Sequence, residues 1–194
     1  MIEIIVRLHP SGYNHPMRGL GIFLDDLSTK PLPGAVAAAA VAAAMGAALI
    51  AKAARISLRR QELDSASRNT IQALWDLAEC QRAALVDLAD ADHCAYQAVL
   101  EARSLPTSAP ARTRAWLQAT ETPIRIAEAC RSLLEFSSPL LEICWPAVCP
   151  DPEIGIWLLE TGMRAGVAAA ESNIERCGDA PEARSLRLRI DALT

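Results

Sequence analysis

Two carboxylates set two residues apart, Asp90 and Asp92, are the side chains of this chain best suited to proton chemistry. Steps of alternately three and four residues from Ile71 pass through Leu74, Ala78, Gln81, Leu85 and Leu88, then Asp92, Ala95, Val99 and Ala102. That spacing gathers them on one face of a helix and makes the face a packing seam. Gln81 and Asp92 are its polar members. Gln81 is neutral and reaches a neighbouring group or water at modest cost. A carboxylate is the harder case, because apolar neighbours raise its pKa unless it is compensated. A carboxyl group so tuned offers proton transfer near neutral pH. Asp90 lies about 200° round the helix from Asp92 and points elsewhere. Tyr96, one turn after Asp92, falls in its environment. A satisfied core polar group, or a local shift of the seam, also accounts for Asp92, so both readings stay open.

Other features are weaker as sites. Gly155, Gly162, Gly166, Ala169 and Asn173 form a small-residue stripe that lets another backbone come close and places the Asn173 amide inside the contact. Asn173 is there either to hold helices together or to touch a ligand. Pro33-Gly34 opens a long Ala-rich segment and leaves helix N–H groups free to face an anion, although most such pairs are only turns. Arg55, Arg59 and Arg60 form a basic cluster, read as a solvated face or as the receptor of an acidic ligand tail. His9, His15 and His93 lack metal spacing, and the six cysteines contain no CxxC pair, so no metal is expected. Most cysteines sit among Ala and Leu as small apolar residues; Cys144 and Cys149 are the close pair able to oxidise.

The elements that position these groups are helices. The chain is 52% apolar but 4% aromatic, so its core is built from Ala, Leu, Ile and Val, which favours closely packed helices over a sheet. A short amphipathic helix covers Leu20–Leu27, and Pro31-Leu32-Pro33-Gly34 ends it. Helices are then expected over about 34–62, 67–104, 112–145 with breaks at Pro123 and Pro139, 153–177 and 182–192, with Ser65 and Ser67 as caps for the second of these. Together they predict an all-α, up-and-down bundle in one domain, 17–194. Residues 1–16 read as an extension, either an ordered arm or a disordered tail. Ala35–Ala51 is uncharged, but 17 residues of mostly Ala is marginal for a bilayer, and a buried helix is expected rather than a membrane span. A net charge of −4 excludes general nucleic-acid affinity, and the absence of a leader pattern points to the cytoplasm.

In this order the segments resemble the cyclodeaminase/methenyltetrahydrofolate cyclohydrolase family. The resemblance runs from about Leu20 to Asn173. It is carried by Phe23-Leu24-Asp25-Asp26-Leu27-Ser28, Pro31-Leu32-Pro33-Gly34, Met45-Gly46-Ala47-Ala48-Leu49, Asp90 to Val99, Leu105-Pro106, Ala119 to Ile124, and then Asp151, Gly162 and Asn173. It implies an all-α dimer with a reduced folate bound at or near the subunit interface. It also implies metal-independent chemistry on tetrahydrofolate-bound one-carbon units: cyclisation of 5-formimino-tetrahydrofolate with loss of ammonia, or interconversion of the 5,10-methenyl and 10-formyl forms. The family's paired Asp maps onto Asp90 and Asp92. Its Pro-Gly-Gly-Gly-Ser turn is here Pro33-Gly34-Ala35-Val36-Ala37. Its Asn-x-Asn falls on Trp145 and Ala147, and the following Ser on Pro150, leaving Asp151. The first Asn of its later pair becomes Ala169, leaving Asn173, and a frequent Lys is Thr107. Pro33, Gly34, Tyr96, Trp145, Asp151 and Asn173 are therefore the expected ligand contacts, with Asp92 and Asp90 as the catalytic pair. An apolar wall including Trp145 suits a second small molecule as one-carbon acceptor. The alternative is a non-catalytic dimer that keeps the bundle for binding or scaffolding.

Overall fold

The computed structural model describes residues 18–106 and 109–194. The extension at 1–16, Met17 and Thr107 lie outside the described residues. Six α-helices follow one another: α1 (Arg18–Thr29), α2 (Ala35–Ser57), α3 (Ser65–Ala102), α4 (Pro110–Ile143), α5 (Pro150–Ile174) and α6 (Pro181–Asp191), with short 3₁₀ turns at Pro146–Val148 and Glu175–Cys177. The described residues contain no strand, as the all-α reading expects.

Local chemistry explains most boundaries. Prolines open α4, α5 and α6, where the missing N–H costs nothing. Asp151 and Glu153 place negative charge in the first turn of α5, against the positive end of its dipole. Gly178, at φ +59, turns the chain out of the 3₁₀ turn that follows α5, a conformation L side chains rarely take. The cap of α3 is neither of the two serines expected: Asp64 accepts from the Ser67 backbone N–H and hydroxyl, both at 2.8 Å. α2 also stops earlier than expected, at Ser57, and 58–64 form the turn.

α4 corrects the sequence reading most clearly, because it runs unbroken through Pro123 and Pro139. A proline at 123 has no N–H for the Ala119 carbonyl four residues back. The Asn173 side-chain amide of α5 donates to that carbonyl instead, at 2.9 Å. A tertiary hydrogen bond thus replaces the lost helical one.

Helices α2 to α5 form a ring, each packed on the next and α5 returning to α2. All four contacts are antiparallel. Arg68 donates to the Leu58 carbonyl while Ala37 lies by Asp92. Gln81 donates to Ser132 at 3.0 Å, whereas Tyr96 meets Trp116. Asn173 meets Ala119, and a Cβ on Gly162 would meet Cys130. The last contact, α2 on α5, is close in both directions: a Cβ on Gly46 would lie 2.6 Å from the Gly155 carbonyl oxygen, and one on Gly155 would lie 2.8 Å from that of Gly46. α6 crosses one end, held by Arg189 bridging Glu121 and Glu128 on α4 at 2.7 and 2.8 Å.

Gly46→Ala should therefore destabilise the fold by roughly 1–3 kcal/mol despite alanine's better helix propensity, because the added methyl meets backbone that cannot step aside. Gly21→Ala, where the same methyl meets nothing within 4 Å, should not lower the midpoint and should favour α1 by up to about 1 kcal/mol. Urea unfolding followed by circular dichroism measures both.

Candidate functional site

Asp92 is buried, 7% exposed, on the face of α3 that the seam count assigned to it. Its seam neighbours Leu85, Leu88 and Val99 are buried too, whereas Asp90 is exposed on the opposite side. Gln81, the other polar seam member, is spent on Ser132 of α4. Asp92 faces the start of α2. Gly34 is the N-cap there and offers no side chain, so the first N–H groups of α2 need an outside acceptor. The Ala37 N–H, in that first turn, faces the Asp92 carboxylate and favours its ionised form.

Two opposed influences set this carboxyl group. Burial pushes its pKa up to about 6, and the Ala37 N–H and the His93 imidazole pull the other way without cancelling it. The group is thus mainly ionised at neutral pH, yet protonated often enough to give a proton back. Gly34 is half-buried with open space around it, φ −107, so neither crowding nor backbone conformation within the chain calls for a glycine. Pro33, half-buried beside it, follows a cis peptide bond.

Tyr96 stands one turn along from Asp92 and packs edge-on against Trp116 of α4, ring centroids 6.4 Å apart. The Arg176 guanidinium lies over the Trp116 ring, 5.0 Å from its centroid, a cation–π contact. Trp116 and Arg176 were not singled out by spacing, and their link to Tyr96 exists only across helices. Asn173 lies in this half of the bundle too, but its amide is committed to Ala119.

Trp145 and Asp151 are elsewhere. The Trp145 backbone N–H donates to Ser57 at the last turn of α2, 3.0 Å away, whereas Asp92 meets Ala37 in the first. At ~1.5 Å per residue the two points are about 30 Å apart along α2. Asp151 pairs with Lys52 at 2.8 Å, about 20 Å along α2 from Ala37 by the same measure. The expected ligand set is therefore divided between the two ends of one protomer: Asp92, Pro33, Gly34, Tyr96 and Asn173 at one, Trp145 and Asp151 at the other. A cleft of about 630 Å³ at the second end is lined by Ile56, Arg59, Arg60, Trp145 and Pro146. Two of the three arginines of the basic cluster thus line a concave surface rather than a convex one.

Comparison with known proteins agrees with the fold and the motifs. The structure is similar to that of formiminotetrahydrofolate cyclodeaminase from Thermotoga maritima, TM-score 0.82 and 20% identity, over 90% of this chain and 87% of that one. In sequence the chain is 29% identical over 175 residues to formimidoyltransferase-cyclodeaminase of Sus scrofa, covering 86% of this chain and 32% of that protein. It is 26% identical over 166 residues to methenyltetrahydrofolate cyclohydrolase of Methylorubrum extorquens, covering 81% of this chain and 79% of that one. The chain thus spans about a third of the length of the pig protein and most of the bacterial one. With the formiminotransferase-cyclodeaminase model matched over residues 20–192, the chain belongs to that family.

Proposed function

We propose that this protein is a folate-dependent one-carbon enzyme in which Asp92 moves the proton, and that it works as a homodimer. The observation that carries the reading is the Asp92 carboxyl group itself, buried, tuned to about 6 and set against the open N-terminus of α2 at Gly34. Ionised, it takes a proton from the nucleophile that attacks the one-carbon unit. Protonated, it returns that proton to the folate nitrogen that leaves. The relatives' names, a cyclodeaminase and a methenyltetrahydrofolate cyclohydrolase, supply the substrate class.

The dimer follows from what α2 leaves uncovered. Only 44% of the residues in its most apolar 18-residue stretch are buried, though α3 and α5 flank it. Its outward line runs Ala38, Ala42, Met45, Leu49 and Lys52, at the alternating spacing of a helix–helix seam, and Met45 is 45% exposed at its centre. Ile154 and Trp157 of α5 add exposed apolar area, and α5 packs along α2. An antiparallel pairing about Met45 sets Lys52 of the partner subunit beside Ala38, and so beside Asp92. The two halves of the divided ligand set then share one cleft, whose apolar wall of Trp145 and Pro146 suits a less polar acceptor than water.

A second reading has its own support. Asp92 serves as a cap for α2, Asn173 repairs α4 and Asp151 is tied to Lys52, so each retained polar residue has a structural task. A non-catalytic folate-free dimer would keep them for that alone. Titration calorimetry with tetrahydrofolate separates the two, since the scaffold predicts no heat of binding.

For the enzyme reading, Asp92→Asn should lower turnover of 5,10-methenyl-tetrahydrofolate, followed by its absorbance, by ~10²–10⁴-fold while the fold persists. The wild-type rate should rise with a midpoint near pH 6 where the ionised form acts. The same carboxyl group binds its proton more tightly folded than unfolded, so stability should fall as pH rises from about 4 to about 6 and then level off. That loss is on the order of 2–3 kcal/mol. Asp92→Asn should flatten this slope in urea titrations at several pH values; an unchanged slope would sink the assignment. Met45→Arg should yield monomers in light scattering and lose activity with the dimer.

A further inference from the structure

The turn between α4 and α5 brings two thiols together that the reaction does not use. Cys144 caps the end of α4 and Cys149 ends the 3₁₀ turn before α5. Their Sγ atoms are 2.6 Å apart, and nothing stands between them. Cys144 is buried, 5% exposed, whereas Cys149 is half-exposed. Between them lie Trp145 and Pro146, which wall the cleft shared with Arg59 and Arg60. Arg60 also reaches the turn, donating to the Ile143 carbonyl at 3.4 Å. The other described cysteines lack such a neighbour: Cys80 and Cys94 are exposed on α3, Cys130 is buried on α4 and Cys177 is buried after α5.

We propose that Cys144 and Cys149 are a thiol–disulfide exchange site, closed to an intrachain disulfide by low-molecular-weight disulfides such as oxidised glutathione, and that this clasp fixes the Trp145 wall of the cleft. The more accessible Cys149, as its thiolate, attacks one sulfur of the small disulfide, forming a mixed disulfide and releasing one small thiolate. Cys144 Sγ then attacks Cys149 Sγ. The second small thiolate leaves, taking up the Cys144 proton. Two protein thiols are oxidised and one small disulfide is reduced to two thiols. Burial favours the neutral thiol at Cys144, whose pKa is pushed up to about 12, so the first attack falls to Cys149; the 2.6 Å separation is what makes the second, intramolecular step accessible to Cys144. The closed ring spans only 144–149, so it acts on the local turn and leaves the helix ring as it is.

The test needs no folate, so its outcome is independent of the enzymatic reading. Purified full-length protein is titrated with oxidised glutathione, quenched with acid, alkylated in denaturant and cut with trypsin. The peptide 132–164 contains these two cysteines and no others. It should lose the mass of two hydrogens and carry neither an alkyl group nor glutathione, at roughly tenfold lower oxidant than modifies Cys80 or Cys94. In Cys144→Ser the same peptide should instead hold one glutathione on Cys149, trapped at the first step. Two alkyl groups across the titration, or a persistent glutathione adduct in the wild type, would overturn the proposal. The wild-type peptide decides the matter alone if the variant fails to fold.

Discussion

The close approach of α2 and α5 at Gly46 and Gly155 is the contact on which the other positions depend. Each glycine leaves room for a carbonyl oxygen of the facing helix where a side chain would begin. A core made chiefly of alanine, with few aromatic side chains, has little volume to fill the space between helices. It reaches the density of a protein interior only if backbones draw together. Gly162 against Ala43 and Gly166 against the Pro123 carbonyl continue the same logic along α5, first toward α2 and then toward α4. Once α2 is seated in this way, its first turn lies against the far half of α3, and Asp92 is the residue that meets it.

That meeting joins structure and chemistry in one group. The start of α2 has Gly34 as its cap and therefore no side chain to receive its N–H groups. The Asp92 carboxylate brings negative charge to that end from another helix, as an acidic residue in the first turn would from its own. The Ala37 N–H offsets part of the desolvation and leaves the rest, which is why the pKa settles at about 6 rather than near its ordinary value. A fully satisfied carboxylate would be a better cap and a poorer acid.

What the sequence made legible divides by range. Helical periodicity placed Asp92 inward and Asp90 outward, because both depend only on 3.6 residues per turn. Gln81 was expected to reach a neighbouring group, but not which one: its partner, Ser132, lies 51 residues on. The prolines of α4 were read as breaks by a sound local rule, overridden at Pro123 by an amide 54 residues from the carbonyl it serves. The cap of α3 was missed by one residue, Asp64 standing just before the serines considered. Tyr96 was placed near Asp92 by spacing, but Trp116 and Arg176, which complete its surroundings, belong to other helices. The cap apart, the local geometry was readable and the cross-helix partner was not.

The departures from the family's motifs bear on how the two ends of α2 are related. Apart from Ala169 and Thr107 they fall in two groups: Ala35, Val36 and Ala37 in its first turn, and Trp145, Ala147 and Pro150 beside its last. In a lone protomer these groups are about 30 Å apart and have no reason to change together. Yet both exchange glycine or polar side chains for apolar ones. An antiparallel pair of α2 helices removes the coincidence, because the last turn of one then lies against the first turn of the other. Both groups become walls of the same cleft, and a change of ligand polarity would act on both. In the proposed dimer the apolar replacements would then surround the end of the bundle where Asp92 is buried.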